Sequence, residues 1–380
     1  MIRTYYLLFG LLILSDYFLW RNFCSQQTTG VFRSVLLFLP TVVTLVCVAL
    51  LAFHVRIQWL MQFTFILFIC IALPKMVFAL VYLLGKLLTG GRPELMRFVL
   101  CASAFFSFAT FSIQSYGVGW GWKRIEVTHH VLKLPQLPSA FKGYKIVQIS
   151  DLHLGTYAGE TGFISRLVDS VNACHPDMIV FTGDMVNTSS DEILPYVRVL
   201  NRLKAPDGVY SILGNHDYCY FQSGYQPKEQ FLQTQRLIRA QRMMGWKVLL
   251  NEHQVIRRKG DSLYVVGVEN IGKPPFPSRG NLSKAMEGIP DVGCKILLSH
   301  DPWHWRNGVV DKEPIQLTLS GHTHALQMQI GRFSPAQWFM PEWGGLYEEG
   351  DQKLFVSTGI GGSIPYRLGA WPKVELLTLV

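Results

Sequence analysis

The first 113 residues are apolar almost without interruption, and this restricts the fold more than any other feature of the sequence. A helix needs about 20 predominantly apolar residues to cross the hydrocarbon core of a bilayer. A cleaved signal peptide would account for only the first apolar stretch. Residues 1–113 are therefore predicted to form a membrane region with about four transmembrane helices, near Tyr5–Phe23, Ser34–Phe53, Leu60–Leu84 and Leu95–Ile113.

Two ionisable residues lie inside these predicted spans, Asp16 in the first and Lys75 in the third. A charge in hydrocarbon is costly unless it is paired or placed near water. Both helices would run in the same direction, with the charged residue somewhat past mid-span, so we expect Asp16 and Lys75 to contact each other. We interpret this contact as structural. A membrane transporter with a regulatory soluble domain is the alternative, and the low polarity of the spans disfavours it.

Basic residues near the span ends are divided evenly between the two sides of the membrane. On the side of the remaining chain lie Arg3, Arg56, Lys123, Arg124 and Lys133, and opposite them lie Arg21, Arg33, Lys86, Arg92 and Arg97. The positive-inside rule compares these two sets and therefore gives no orientation. We expect a multi-pass protein of the cell membrane, with the side of the soluble part open and only a slight preference for the cytoplasm.

The formal net charge is +9, but Lys and Arg are scattered without a dense basic run. Such an excess suits a bilayer surface or an anionic substrate. No stable nucleic-acid partner is expected, and a nuclease, which would need a broad basic groove, is a weaker alternative. The seven cysteines include no C-x-x-C pair and are predicted to be free thiols.

The pattern changes near residue 143, after a connector and a first strand in residues 114–142. Short β-rich apolar runs such as YKIVQIS, MIVFTG, GVYSIL, KILLSH and IQLTLSG each end in a polar cluster. Runs that are apolar throughout are typical of strands buried on both faces of a layered α/β domain. Residues 143–380 are therefore predicted to form such a domain.

Polar clusters follow five of these strands: SDLHLG (150–155), TGDMVN (182–187), LGNHDY (213–218), LSHDP (298–302) and SGHTH (320–324). Ligands of open α/β sheets bind at the carboxyl ends of the strands, so we expect these clusters to converge. Their donors are carboxylate, imidazole and amide groups without a thiolate: Asp151, His153, Asp184, Asn215, His300, His322 and His324. This set fits Mn, Fe or Zn at a catalytic position, and two ions that share a carboxylate would use all seven.

The charge of such a site indicates its substrate. Two divalent cations carry about +4, of which Asp151, Asp184 and a bound hydroxide would return about −3. The remaining positive charge attracts an anion, and two-metal sites stabilise both the attacking and the leaving oxygen at phosphorus. The sequence therefore predicts hydrolysis of a phosphoric ester with two divalent metal ions as cofactors, Mn being favoured.

The five clusters, in this order, resemble the calcineurin-like metallophosphoesterase superfamily. The motif ISDLHLG and the tail LFVSTGIGGSIPYRLGAWPKVELLTL resemble its membrane-anchored bacterial branch most closely. The resemblance covers residues 145–380. It implies a four-layer αββα sandwich, here preceded by an N-terminal helical transmembrane region.

The resemblance also implies a role for each donor. Asp151, His153 and His324 would hold one metal ion, and Asn215, His300 and His322 the other, with Asp184 bridging. A metal-bridging hydroxide would attack phosphorus, His216 would protonate the leaving oxygen, and Asp217 would orient His216. The chain has Ala325 and Leu326 where the family often has two glycines, which affects the shape of the pocket floor and not the ligand set.

Several residues are predicted to contact substrate or lipid. Arg367 matches a position typical of the branch and would contact phosphate or serve packing, and His304 is a weaker candidate for the site. Trp338 and Phe339, in QWFMPEWGG, are candidates for an acyl chain or a bilayer, with core packing as the alternative. Arg236, Arg239 and Arg242 share a helical face that suits solvent or anionic lipid.

These features together favour a membrane-anchored phosphodiesterase or pyrophosphatase that acts on a phosphorylated lipid or a nucleotide-lipid. The UDP-2,3-diacylglucosamine pyrophosphatase of lipid A synthesis is the specific alternative, because some relatives of this fold perform that reaction. A non-catalytic metal-binding scaffold is disfavoured because all the predicted ligands and His216 are present.

Overall fold

The computed structural model describes residues 2–25, 30–52, 58–222, 224–274, 276 and 278–380. The chain forms two compact units, Met1–Gly119 and Trp120–Val380. The predicted limit of the membrane region, residue 113, lies inside a helix that continues to Gly119. Each unit has its own set of buried apolar side chains.

The first unit consists of helices joined by short turns in its described residues. Its helices are α1 (Ile2–Phe23), α2 (Gly30–Ala52), α3 (Gln58–Leu67), α4 (Leu73–Leu88) and α5 (Pro93–Gly119), and a π-helical turn connects α3 to α4. Among the described residues, three stretches are long and apolar enough to cross a membrane, Val31–Leu51, Gln58–Leu88 and Pro93–Lys123. They correspond to the second, third and fourth predicted spans, and the first span, at α1, stays a prediction.

The predicted contact between Asp16 and Lys75 is confirmed. The Lys75 Nζ atom lies 2.6 Å from Asp16 Oδ1, and the Asp16 side chain is fully buried. Thr41 donates to Asp16 Oδ2 over 2.5 Å and accepts from Lys75 Nζ over 2.7 Å. One polar cluster therefore connects α1, α2 and α4.

The second unit contains two six-stranded sheets. The first has the order β1–β12–β2–β3–β4–β5, formed by Glu126–Leu132, Lys373–Leu379, Lys145–Ile149, Met178–Phe181, Val209–Ser211 and Lys247–Val248. The second has the order β10–β11–β9–β8–β7–β6, formed by Gly345–Glu349, Gln352–Val356, Leu317–Ser320, Cys294–Leu298, Asp261–Gly267 and Glu252–Arg258. The predicted first strand is β1, which pairs in parallel with β12 at the edge of its sheet.

Successive side chains of a strand point to opposite faces of the sheet, and in the central strands both faces are buried. On β2, Ile146 packs between the two sheets, whereas Val147 packs with the helical layer that contains α6 (Thr161–Ala173) and α7 (Val197–Leu200). On β7, Val265 packs between the sheets, whereas Val266 packs toward α9 (Leu282–Met286). Helices and sheets therefore form the predicted αββα sandwich, with α8 (Pro227–Met243) packed beside β5.

Candidate metal centre

The five predicted clusters follow the carboxyl ends of β2, β3, β4, β8 and β9 within a few residues. The strands β2, β3 and β4 are parallel neighbours in one sheet, and β8 and β9 are parallel neighbours in the other. Their loops therefore meet at one end of the sandwich. Several of the donor residues take left-handed backbone conformations that side chains rarely adopt, which turns the chain sharply at the site: Asp151, His153, Asp184, His322 and His324.

Two groups of side chains in this region could hold a metal ion, and Asp184 belongs to both. The first group contains Asp151, His153, Asp184 and His324, and the second contains Asp184, His300 and His322. Within each group the candidate ligand atoms all lie within 4.8 Å of one another. The arrangement fits two neighbouring cations that share the Asp184 carboxylate.

Three candidate ligand atoms at this centre are buried and have no hydrogen-bond partner in the described part of the chain: His153 Nε2, Asn215 Oδ1 and His324 Nδ1. A buried polar atom without a partner costs free energy, and native proteins rarely leave several together. Imidazole nitrogens and an amide oxygen are common metal ligands. The residues present therefore fit the two divalent cations that the sequence predicts.

Two of the histidines are held in place through their second ring nitrogen. His153 Nδ1 lies 2.6 Å from Asn187 Oδ1, and His300 Nδ1 lies 2.7 Å from the carbonyl oxygen of Thr182. Donation from Nδ1 leaves the lone pair of Nε2 available to a cation and fixes the ring orientation. The sequence reasoning missed Asn187, although TGDMVN contains it, because no local pattern distinguishes this asparagine from an ordinary turn residue.

The proposed acid, His216, has a different partner from the one predicted. Its Nδ1 lies 2.8 Å from the carbonyl oxygen of Asn187, and its ring packs on Phe221 with centroids 4.3 Å apart. Its backbone N–H donates to Asp184 Oδ1 over 2.8 Å. The backbone of Asn187 therefore orients His216, and the ring remains partly exposed at the metal centre.

The prediction that Asp217 orients His216 is wrong. The buried Asp217 carboxylate accepts hydrogen bonds from four backbone N–H groups, those of Gly214, Asp184, Met185 and Val186. Asp217 therefore connects the loop after β3 to the loop after β4. It fixes the backbone that carries the bridging carboxylate.

Glycine is required where these loops touch each other. A Cβ atom at Gly214 would collide with Asp184 Oδ1, and one at Gly321 would collide with Asp151 Oδ2 and with Ser150. Any side chain at either position would therefore displace a carboxylate of the centre.

Burial controls the protonation of the donors. It lowers the pKa of His153 to about 3, with the neighbouring His216 acting in the same direction. It raises the pKa of Asp151 to about 7, with Asp184 adding to the effect. Burial also opposes the charge on His300, but Asp184 Oδ2, 3.1 Å from His300 Nε2, outweighs it and raises that pKa to about 10. A cation between these two atoms would replace the proton.

Two of the residues predicted to contact substrate or to line the site are buried in the structure. Arg367 is fully buried and donates to the carbonyl oxygens of Thr358, Gly361 and Ala370, so its predicted contact with substrate is corrected to the packing alternative. His304 is also buried, with Nδ1 2.8 Å from Ser299 Oγ.

Trp338 and Phe339 are exposed, by 69% and 64%, which contradicts core packing for both. Phe339 lines a cavity of about 120 Å³ that includes the candidate ligand His322. The other residues that line it include Lys273, Phe276, Trp303, Met340 and Glu342. The Lys273 side chain and several apolar side chains therefore lie next to the candidate metal centre.

Comparisons with known proteins agree with this geometry. A sequence model of the calcineurin-like phosphoesterase family matches residues 144–326, which contain all seven candidate ligands. The chain is 31% identical over 283 residues to the uncharacterized metallophosphoesterase YkuE of Bacillus subtilis, covering 69% of this chain and 90% of that protein.

Two vertebrate relatives carry the name transmembrane protein with metallophosphoesterase domain. The one from Danio rerio is 27% identical over 260 residues, and the one from Bos taurus is 30% identical over 259 residues. These alignments cover 65% and 67% of this chain and 56% of each relative, so the chain spans just over half the length of these two proteins. The fold, the ligand groups and these relatives together show that the chain belongs to the calcineurin-like metallophosphoesterases, the metal-dependent hydrolases of phosphoric esters.

Proposed function

We propose that the protein is a membrane-anchored phosphodiesterase or pyrophosphatase that uses two divalent cations and acts on a lipid-linked or nucleotide-lipid substrate. The observation that carries the proposal is the pair of ligand groups sharing Asp184, with three buried ligand atoms that lack a hydrogen-bond partner in the described chain. The apolar helices that could span a membrane support the anchoring. We include α1 as a fourth span, since its Asp16 is neutralised by Lys75.

The ligands are assigned as the family resemblance implies. Asp151, His153 and His324 would hold one cation, Asn215, His300 and His322 would hold the other, and Asp184 would contact both. Cations bound here would lower the pKa of water and neutralise charge at phosphorus, and Mn is the favoured metal. The assignment is supported by the burial of five of these side chains and by the partners of His153 and His300. The buried five are Asp151, His153, Asp184, Asn215 and His300.

His216 supplies the proton for the leaving oxygen. Because its Nδ1 donates to the Asn187 carbonyl oxygen, the cationic form of the ring presents its second proton at Nε2. General acid catalysis of this kind typically contributes about 10²–10⁴-fold to the rate.

The cavity beside His322 supports a substrate with an anionic and an apolar part. Lys273 can contact phosphate, whereas Phe276, Trp303 and Phe339 offer apolar surface. UDP-2,3-diacylglucosamine combines a pyrophosphate with acyl chains and is the specific substrate to test. A soluble aryl phosphodiester lacks the acyl part and reports on the metal centre alone.

The test uses the full chain in detergent with Mn²⁺ and three substrate classes: nucleotide-lipid pyrophosphates, phospholipids and a soluble aryl phosphodiester. We expect Asp184→Ala to abolish turnover of every substrate and His216→Ala to lower kcat at least about 100-fold. His129→Ala, a change at an exposed histidine outside the centre, is the matched control. Turnover that survives EDTA or Asp184→Ala would contradict the proposal.

The acyl part is tested separately with Phe339→Ala. This variant should raise KM for the lipid substrate and leave KM for the aryl phosphodiester unchanged, because only the lipid reaches the cavity wall. An equal rise in KM for both substrates would contradict the proposal of a lipid-linked substrate. It would leave the phosphoesterase assignment in place.

A further inference from the structure

The segment 326–338 exposes an unusual amount of apolar surface directly after the last candidate ligand, His324. Leu326 is 42% exposed, Ile330 71%, Phe333 39% and Trp338 69%. Soluble surfaces rarely present several large apolar side chains together unless a partner covers them. We call this segment the exposed hairpin.

Hydrogen bonds and a ring contact fix the conformation of the exposed hairpin. Ile330 and Phe333 exchange both backbone hydrogen bonds, at 2.8 and 3.0 Å, around a two-residue tip of Gly331 and Arg332. Ser334 Oγ donates to the carbonyl oxygen of Ala325 over 2.7 Å, and this residue follows His324 directly. The Phe333 and Trp338 rings pack edge to face with centroids 5.5 Å apart. The apolar side chains are therefore held outward in a fixed arrangement next to the metal centre.

The charges of the hairpin suit a lipid surface. Residues 326–338 contain no Asp or Glu, and Arg332 at the tip forms no ion pair within the described residues. Trp and Arg together are typical of the boundary between headgroups and acyl chains, where one end of the side chain is apolar and the other hydrated.

A second surface with the same character lies on α8. Its exposed face carries Arg236, Arg239 and Arg242, which have no ion pair in the part of the chain that the structure describes, together with Phe231 at 55% exposure and Met243 at 78%. A basic helix with exposed apolar side chains is typical of binding to anionic lipid. The α8 helix also contacts the centre, because Thr234 Oγ1 lies 3.3 Å from the carbonyl oxygen of Asp217.

A short covalent connection joins the second unit to α5. The helix α5 ends at Gly119 and β1 begins at Glu126, so six residues connect them. Six extended residues reach at most about 20 Å. If α5 crosses a bilayer, the lipid surface is therefore within reach of the second unit at all times.

We propose that the exposed hairpin docks the catalytic unit onto the bilayer, with Ile330, Phe333 and Trp338 in the headgroup boundary and Arg332 on lipid phosphate. The Arg face of α8 adds attraction to anionic lipid. This docking is independent of what the metal centre hydrolyses. It would place the mouth of the site at the membrane surface, where a lipid substrate could enter without crossing water.

The test measures contact with lipid directly. The full chain, with its seven cysteines replaced by alanine and its aryl phosphodiesterase activity verified, is labelled with a fluorophore through Ile330→Cys. The matched control is labelled through Val292→Cys, an apolar residue that is 87% exposed and lies outside the hairpin. Both proteins are placed in phosphatidylcholine–phosphatidylglycerol nanodiscs containing nitroxide-labelled lipid.

We expect the nitroxide to quench the label at position 330 and not the one at position 292. A second set of proteins is labelled through Gln329→Cys. In this set, Trp338→Ser should reduce quenching several-fold relative to the labelled parent. Arg332→Glu should reduce quenching in the mixed nanodiscs but not in nanodiscs of pure phosphatidylcholine. Equal quenching at positions 330 and 292, or none at either, would overturn the proposal.

Discussion

At the scale of single residues, Asn187 connects the metal centre to the proposed acid. Its side-chain Oδ1 lies 2.6 Å from His153 Nδ1, and its backbone oxygen lies 2.8 Å from His216 Nδ1. Only the first of these contacts depends on the side chain. A substitution can therefore change the orientation of the candidate ligand His153 while His216 keeps its partner.

We expect Asn187→Leu to weaken metal binding about 10–100-fold, because the acceptor that orients His153 is lost. At saturating metal, kcat should recover, since the backbone oxygen still holds His216. The measurement is activity as a function of free Mn²⁺. Asn187→Asp keeps an acceptor and should stay close to the wild type. A fall in kcat at saturating Mn²⁺ with unchanged metal affinity would contradict this division of roles.

His304 gives a prediction for the dependence of stability on pH. Burial lowers the pKa of His304 to about 4, whereas a histidine in an unfolded chain titrates near 6.5. Between these values the unfolded chain binds more protons, so the neutral imidazole contributes its full stability above about pH 6.5 and loses it as the pH falls toward 4.

The comparison variant is His304→Gln, which does not titrate. The free energy of unfolding of the wild type relative to this variant should fall by on the order of 3 kcal/mol between pH 7 and pH 4. Denaturant unfolding of both proteins at several pH values measures the difference. A constant difference across this range would show that His304 has an ordinary pKa in the folded protein.

The sequence predicted the donors of the centre more successfully than their supports. Residue type and strand position identify a candidate ligand such as His322, because the sequence shows both its imidazole and its place after a predicted strand. The role of Asp217 was wrong because its position next to His216 suggested a side-chain contact, whereas four backbone N–H groups use its carboxylate. Such partners come from loops distant in sequence, and only the folded chain shows them.

At the scale of elements, the apolar runs predicted the central strands, but not the details of the edges. Residues 193–203 have apolar residues at helical spacing, but the structure has a 3₁₀ segment, Ser190–Tyr196, followed by the short α7. A proline at position 195 lies in this segment and cannot donate a backbone hydrogen bond, which limits a regular helix. Edge strands such as β1 carry a weaker apolar signal in the sequence, because every second side chain along most of the strand is exposed to solvent.

The cluster of Asp16, Thr41 and Lys75 gives a prediction about the packing of α1, α2 and α4. Removing one charge leaves the other buried without its counterion, which typically costs about 3–5 kcal/mol. We expect Asp16→Asn and Lys75→Met each to lower the stability of the helical unit by this amount. The double variant should lose less than the sum, because no isolated charge remains.

Unfolding of the four proteins in detergent, arranged as a double-mutant cycle, measures the coupling between the two side chains. If the single variants unfold like the wild type, the pair does not connect the helices energetically. If they keep their stability and lose only turnover, the pair acts in function and the structural interpretation is wrong.

At the scale of the whole molecule, the two units have separate cores, and every candidate ligand lies in Trp120–Val380. A ligand that binds only the folded state stabilises it by about 2.7 kcal/mol at 100 times its Kd. For a unit of this size the gain corresponds to roughly 5–10 °C in Tm. We therefore expect EDTA to lower the Tm of the catalytic unit by this amount and to leave the transition of the helical unit unchanged.

Scanning calorimetry of the full chain in detergent, with Mn²⁺ or EDTA, resolves this prediction because the two transitions respond differently. Asp184→Asn removes the carboxylate common to both ligand groups, so its catalytic unit should no longer respond to Mn²⁺. A shift of both transitions by the same amount would mean that the units unfold together. The absence of any shift in the wild type would mean that the buried donors of the centre do not bind Mn²⁺, which would remove the basis of the proposed hydrolysis.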